Sequence, residues 1–368
     1  MIAATILGCS TVAARSQSDE ELRDLLPLLR PWESLLTVKS GGGYKDNVAL
    51  SHAAPEAGGF VSAAAEAMVL RQFLEGSQLT FFASGETRFF PSAKTVDDEA
   101  TAFAVLQGKK LFTDGSQGTL AAQYVFENEV LDVSITETNR EAVPVRGHSI
   151  GLRPGYHKDL GERLRLSLEL PATRQFLNAP LDDYWEAGPR CTLARRHGHE
   201  SEVGALYEFT FRAYDTYTQL DASGATVTNT SRVYWQNNFR LHWRQHWDAA
   251  KHWRTELRAG CRVNTDNGSG YFDFVEPHVS IEARYRTGDW TLVASARAGW
   301  YFYPVQTVSA TDPAKRERAD LHVSVRGERR LWRKLSALAA FEHEQVYSND
   351  RLETYTANIF QAGLQWEF

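Results

Sequence analysis

The chain has 368 residues, 43% of them hydrophobic, and a formal net charge of −6 at pH 7. This apolar content is enough for a large core or sheet, so the chain is not expected to be disordered. An acidic chain without a basic tail lacks the cationic surface that phosphate binding needs, which argues against a nucleic-acid partner. The three cysteines, Cys9, Cys191 and Cys261, are too widely spaced to indicate a disulfide framework or a metal site, and no cofactor is expected.

The N-terminal region predicts an export signal followed by a short helix. Residues 1–17 contain a short apolar stretch rich in small residues, as in a clipped export signal, and the segment ending at Cys9 has the form of a lipobox. Ser18 and Glu21 are spaced as in a capping box, and leucines at helical spacing follow until Pro31. We therefore expect a short helix over residues 18–34, either in the periplasm or inside the barrel mouth.

From residue 35 to residue 368 the apolar pattern has a period of two, with no linker that divides the chain. No apolar run reaches the length of about 18 residues that a membrane helix needs, so a closed barrel is the remaining way to cross a membrane. A soluble sandwich of strands would also alternate. One stripe is long enough to cross lipid and has aromatic residues at both ends, namely Trp290, Leu292, Ala294, Ala296, Ala298, Trp300 and Phe302.

The spacing of the connections favours the barrel over the sandwich. Compact turns are predicted near residues 74–78, 113–118, 158–162, 197–201, 248–251, 287–289 and 332–334. Longer polar segments lie between them near residues 51–59, 91–99, 135–147, 171–183, 216–231, 264–270, 304–318 and 348–354. Alternation of short turns with long loops is typical of an up-and-down outer-membrane barrel. We predict an all-β transmembrane antiparallel barrel of about 16 strands, or 14 if weak early strands merge.

The two ends of this region resemble a known class. At the C-terminus, every second residue is apolar, and the last one is aromatic. The residues of this pattern include Phe360, Leu364, Trp366 and Phe368. The first strand carries Gly41-Gly42-Gly43-Tyr44-Lys45-Asp46-Asn47, which is similar to a Gly-Tyr-Asp-x-Asn opening but has lysine after the tyrosine. The chain thus resembles Gram-negative outer-membrane β-barrel proteins of porin type. The resemblance implies outer-membrane localisation, lipid contact, and recognition of the C-terminal strand by the barrel-assembly machinery.

If the apolar stripes face lipid, the charged residues of opposite parity face the lumen, where arginine exceeds glutamate. Guanidinium groups along a wet lumen attract anions, so we hypothesise a passive pore for small solutes with anion preference. The candidates are Arg212, Arg240, Arg244, Arg254, Arg258, Arg262, Arg284, Arg286, Arg297, Arg326 and Arg330, with Glu208, Glu256, Glu282, Glu328 and Glu342.

Two other functions remain open. In the first of them, the same charges pair across strands in a closed barrel that serves as a structural or secretion and assembly component. A lipid-modifying enzyme needs a base beside a nucleophile, but His148 and Ser149 are adjacent and point to opposite faces of a strand.

His197, His199 and Glu200 suggest a metal site, although a solvated turn is the simpler interpretation. We therefore expect no catalytic residues and no metal.

Overall fold

The computed structural model describes residues 32–368 except 74–75, 136, 138–141, 199–200 and 310. Its described part consists of β-strands and one 3-10 turn, Arg351–Glu353. The strands are β1 (Trp32–Lys45), β2 (Gly58–Gln72), β3 (Ser77–Phe89), β4 (Asp98–Leu111), β5 (Gln117–Leu131), β6 (Val143–Asp159), β7 (Leu164–Glu169), β8 (Ala172–Leu177), β9 (Tyr184–Ala187), β10 (Arg190–His197), β11 (Ser201–Tyr214), β12 (Val233–His246), β13 (Trp253–Asp266), β14 (Phe274–Arg286), β15 (Trp290–Thr307), β16 (Lys315–Arg330), β17 (Leu335–Ser348) and β18 (Tyr355–Glu367).

These strand segments make 16 barrel strands. β7 and β8 both pair with β6, and β9 and β10 both pair with β11, so each couple is one barrel strand with an interruption. The interruptions lie at Pro171 and Pro189, as expected for a residue without an N–H donor. Neighbouring strands are antiparallel, and β18 pairs with β1 to close the sheet. The predicted all-β antiparallel barrel of 16 strands is therefore confirmed.

Long and short connections alternate around the barrel. Short turns such as 287–289 lie at one end of the barrel, which we call the short-turn end. Longer connections such as 215–232 lie at the opposite end, which we call the long-loop end. One predicted loop is wrong, because residues 172–177 of the range 171–183 form β8, which continues the barrel strand beyond the proline. Two further predicted loops, 135–147 and 304–318, are shorter than expected, since residues 143–147, 304–307 and 315–318 belong to strands.

The two faces of the sheet differ as the alternation predicts. On β15 the stripe that ends in Trp290 and Phe302 faces outward, where both side chains are 43–48% exposed. The inward face carries the buried polar residues, including Glu276 and Arg316. Because an apolar band with aromatic residues near both ends suits contact with hydrocarbon, the barrel is a transmembrane one. Among the described residues, no helix has the length and apolar character needed to cross a membrane.

The N-terminal predictions lie largely outside the described residues. The export signal over residues 1–17, the lipobox at Cys9 and residues 18–31 of the predicted helix all belong to that part. At its other end the helix prediction overlaps β1, because residues 32–34 are paired with β2. The barrel therefore begins three residues earlier than residue 35, where the period-two pattern was first recognised.

The glycine-rich motif of the first strand lies at the seam that closes the barrel. A Cβ atom added at Gly43 would overlap the carbonyl oxygen of Phe360 and the ring of Phe60. Beyond the glycines, Asp46 accepts hydrogen bonds from the backbone N–H and the side-chain amide of Asn358, both at 2.6 Å. Asn47 donates to the carbonyl of Thr356 at 3.0 Å. The motif therefore joins β1 to β18 by close backbone approach and by two polar side chains.

We expect Gly43→Ala to lower the free energy of unfolding of the barrel by roughly 1–3 kcal/mol, because the added methyl group overpacks the seam. Urea unfolding of protein refolded into lipid vesicles measures the change. Gly59→Ala is the matched control, since its Cβ would have no neighbour nearer than 3.8 Å. Equal stability of the two variants would show that the seam does not require glycine.

Candidate functional site: the barrel lumen

The charged residues predicted to line the pore all lie on the inward face of the barrel. The register pairs them with inward residues of the neighbouring strands, for example Arg244 with Glu202, Arg254 with Arg284, and Glu282 with Ser295. Most residues of the other parity on these strands are apolar, and many of them are exposed. The inward residues of the predicted set are Arg212, Arg240, Arg244, Arg254, Arg258, Arg262, Arg284, Arg286, Arg297, Arg326, Arg330, Glu208, Glu256, Glu282, Glu328 and Glu342.

Most of these arginines are paired with carboxylates. Glu256 lies between Arg244 at 3.3 Å and Arg258 at 2.6 Å. Arg262 lies 2.6 Å from Glu276, a buried carboxylate that the sequence interpretation did not select. The remaining pairs are Arg212 with Glu186, Arg254 with Glu282, Arg297 with Glu276 and Arg326 with Glu328. Cross-strand pairing thus accounts for part of the charged face.

Arg240, Arg284 and Arg286 form no ion pair in the described part of the chain. Arg240 lies in the field of Arg258 and Arg190, and Arg284 in that of Arg254 and Arg286. Strands β10 to β16 therefore carry a surplus of positive charge on the face that lines the lumen.

The other half of the wall has the opposite surplus, which the sequence interpretation missed. Three of its basic residues form ion pairs, namely Lys39 with Glu66, Lys45 with Glu99 at 2.6 Å and Arg88 with Glu86 at 3.0 Å. This half comprises β17, β18 and β1 to β5. Its inward carboxylates are Glu33, Glu66, Glu86, Glu99, Glu127, Glu129, Glu342, Glu344 and Glu367, and its inward cations are Lys39, Lys45, Arg88 and Lys109. A basic half and an acidic half of the wall therefore enclose the lumen.

The connection between β5 and β6 folds into the barrel. We call its described residues, 132–135, 137 and 142, the inward segment. Asp132 lies 2.6 Å from Arg318, and the hydroxyl of Ser134 accepts hydrogen bonds from Arg318 at 2.8 Å and from Arg316 at 3.2 Å. β16 is nearly opposite β5 in the barrel order. The inward segment therefore extends across the lumen.

A second contact of the inward segment is made by Glu137. Its carboxylate accepts a hydrogen bond from the hydroxyl of Tyr214 at 3.0 Å and lies 3.5 Å from Arg232. Burial raises the pKa of Glu137 to about 7, although Arg232 and the Tyr214 hydroxyl act in the opposite direction. This carboxyl group therefore titrates near neutral pH.

Three apolar clusters surround the inward segment near the long-loop end. The first includes Phe60 and Phe90 and is contacted by Ala142, and the third contains Phe274, Tyr301 and Tyr303 and is contacted by Ile135. The second contains Tyr214, the partner of Glu137. Because the inward segment reaches all three, it narrows the lumen at this level.

Exposure of the lumenal charges differs along the barrel. The side chains of Arg316 and Glu353, near the long-loop end, are 0% exposed and lie 2.6 Å apart. The side chains of Arg297 and Arg326, further toward the short turns, are 48% and 44% exposed. The lumen is therefore closely packed at the level of the inward segment and accessible to water on the short-turn side.

The remaining candidate residues lie apart from this site. His148 faces outward against Tyr124, whereas Ser149 is buried on the inward face, so the two cannot act together. His197 lies at the end of β10, while His199 and Glu200 are outside the described residues. No group of three or more potential metal ligands occurs within the described part of the chain. By register, Cys191 and Cys261 lie in the outer apolar band. The outward-facing tryptophans of this band are Trp235, Trp243, Trp253, Trp290 and Trp300.

No protein-family model matches the sequence, and no curated protein matches it either. Several solved structures are similar in shape. OccAB1 of Acinetobacter baumannii is 10% identical, with 92% of this chain and 97% of that chain covered at a TM-score of 0.48. OmpT of Vibrio cholerae without loop L8 is 10% identical, with 92% of this chain and 100% of that chain covered at a TM-score of 0.48. A BenF-like porin from Pseudomonas fluorescens is 9% identical, with 92% of this chain and 100% of that chain covered at a TM-score of 0.46.

At these identities and TM-scores the likenesses support no statement about function. The closed barrel and its outer apolar band are themselves the architecture of outer-membrane proteins. The expected localisation in the bacterial outer membrane is confirmed on that basis.

We expect Arg316→Met to destabilise the barrel by about 3–5 kcal/mol, because Glu353 would be left as a buried charge without its cation. The midpoint of urea unfolding in vesicles measures the loss. Arg326→Met is the control, since its pair with Glu328 is water-accessible and worth about 1 kcal/mol or less. A similar loss in both variants would contradict the role of the buried pair.

We expect attachment of the inward segment to depend on pH. The folded-state pKa of Glu137 is raised to about 7 from its ordinary 4.5, so the buried group is neutral below this range and becomes charged as pH rises through it. Attachment of the inward segment to the barrel wall should be strongest at and below about pH 4.5. It should weaken as the pH rises to about 7 and stay constant above that. Hydrogen exchange of the amides of residues 132–135 measures it. Glu137→Gln should remove this dependence, and an unchanged profile in the variant would disprove the assignment.

Proposed function

We propose that the protein is a passive outer-membrane pore for small solutes, with a preference for anions. The observation that carries the proposal is the set of water-accessible arginines on the inward face between the inward segment and the short turns. Arg240, Arg284 and Arg286 have no carboxylate partner in the described residues, so their charge is available to a passing solute. Catalysis forms no part of this proposal.

Arginine suits this role because its guanidinium group stays charged and binds carboxylate or phosphate with two hydrogen bonds. Arg284 faces Arg254 across the strand pair, and Arg286 lies two residues further along β14. A solute that moves along this half of the wall therefore passes from one guanidinium group to the next. The acidic half of the wall directs anions toward the basic half by repulsion.

The inward segment is the proposed constriction. It is attached by ion pairs and hydrogen bonds at Asp132, Ser134 and Glu137 rather than by covalent links. Its position explains how a barrel of this circumference could restrict passage to small molecules. The same observation favours the second candidate function, a closed barrel that acts as a structural or secretion and assembly component, because attached residues fill the lumen at this level.

Planar-bilayer recordings of the purified barrel separate the two functions. A pore gives discrete conductance steps in the wild-type protein, and the combined variant Arg316→Met and Arg318→Met, which releases Ser134, should give larger steps. Silence of both proteins, with folding verified by circular dichroism, would reject the pore and favour the closed barrel.

We expect Arg284→Gln to lower the anion-to-cation permeability ratio about twofold, since a charge roughly 8 Å from an ion in water contributes about 0.5 kcal/mol. The reversal potential in a potassium chloride gradient measures the ratio. Arg329→Gln is the matched control, because Arg329 faces outward beside Trp290. An equal shift in both variants would show that the selectivity does not come from the lumen wall.

The C-terminal strand is the proposed contact with the barrel-assembly machinery. Phe360, Leu364 and Trp366 are exposed on the outward face of β18, next to the seam, and the exposed Phe368 follows this strand directly. Their side chains are therefore accessible on the finished barrel at the strand where closure occurs.

A further inference from the structure

A groove interrupts the outward surface near the short-turn end. In one row of paired residues that crosses β3, β4 and β5, Gly108 lies between Leu79 and Leu120. A Cβ atom at Gly108 would meet only the Leu120 carbonyl, at 4.0 Å, so the space beside it is open. Gly118 follows in the next row. The groove has a volume of about 490 Å³, and its lining includes Phe73, Leu79, Gly108, Lys110, Gly118 and Leu120.

Two cations flank this groove. Lys110 is exposed and directly follows the row of Gly108 on the outward face of β4. Arg71 pairs with Leu79 in the same row, and its guanidinium carbon lies 4.6 Å from the ring centres of both Trp32 and Phe73. Neither cation has an ion-pair partner in the parts of the chain that the structure describes. Lys158, which also faces outward at this end, differs because Asp114 lies 3.3 Å from it.

We propose that this groove is a binding site for an anionic phospholipid. One acyl chain would lie against Leu79 and Leu120 in the space left by Gly108, and the phosphate would contact Lys110 and Arg71. The wall of a transmembrane barrel meets hydrocarbon, and an unfilled groove there would lose dispersion contacts on its lining. Basic side chains at the membrane surface attract anionic lipid, by a factor of about five for each charge.

Charge also favours a lipid over a second copy of the chain. A symmetric dimer built on this face would bring Lys110 and Arg71 of one copy close to the same residues of the other. Among the residues that the structure describes, the outward carboxylate at this end, Asp114, is already paired with Lys158. A phosphate group supplies the missing negative charge.

Native mass spectrometry of the purified barrel, titrated with dioleoylphosphatidylglycerol or with zwitterionic dioleoylphosphatidylcholine, tests the site. We expect one phosphatidylglycerol to bind more tightly than phosphatidylcholine. Lys110→Gln should weaken phosphatidylglycerol binding about fivefold and leave phosphatidylcholine binding unchanged. Gly108→Leu should weaken the binding of both lipids, because the leucine side chain fills the groove.

Two matched controls accompany these variants. Lys158→Gln removes an outward charge that is already paired, and Ala104→Leu places the same leucine side chain on the outward face of β4, four residues from Gly108. Both should bind lipid as the wild type does. Equal binding of the two lipids, equal effects of Gly108→Leu and Ala104→Leu, or dimers in place of lipid adducts would each overturn the proposal. Lys110 faces away from the lumen, so these outcomes do not depend on whether the barrel conducts ions.

Discussion

Backbone hydrogen bonding in a medium without water is the constraint on which the rest of this structure depends. Each peptide N–H and C=O that crosses hydrocarbon needs a protein partner, and a sheet meets this requirement only when its first and last strands pair. Here the pairing runs from Thr37 with Glu367 to Lys45 with Ile359. The glycines of β1 allow the close approach, and Asp46 extends the connection beyond the last strand pair.

Closure then divides the side chains into two environments. One parity of each strand meets lipid and is apolar, and the other meets an interior too wide for side chains alone to fill. The interior of this barrel combines two solutions. Near the long-loop end, the inward segment and three apolar clusters occupy the space, and charges such as Arg316 are fully buried with several partners. Toward the short turns the charges remain accessible to water.

The architecture was predictable because alternation and loop spacing are local properties of the sequence. The stripe from Trp290 to Phe302 and the final aromatic residues show their outward direction without any tertiary information. The same parity placed the arginines of β11 to β16 on the inward face. The fold of residues 171–183 was not predictable in this way, because Pro171 interrupts a barrel strand and also resembles the start of a loop.

The lumenal partners were not predictable, since they depend on contacts between distant parts of the chain. Ser134 meets Arg316 across 182 residues, and nothing in the polar sequence around it distinguishes an inward segment from an external loop. The acidic half of the wall was missed for a different reason. Its carboxylates are spread over several strands, among them Glu66, Glu99 and Glu127, so the excess becomes visible only when these strands lie side by side.

The interruptions at the prolines form a continuous line across the wall. The carbonyl of Pro154 accepts the N–H of Leu170 at 3.0 Å, that of Pro171 accepts the N–H of Gly188 at 3.1 Å, and that of Pro189 accepts the N–H of Phe209 at 3.0 Å. An amide hydrogen without an acceptor in hydrocarbon costs on the order of several kcal/mol, but a prolyl nitrogen carries no hydrogen to satisfy. Three consecutive barrel strands therefore lose ladder donors at one level without presenting an unsatisfied N–H to lipid, while the prolyl carbonyls keep each strand joined to the next.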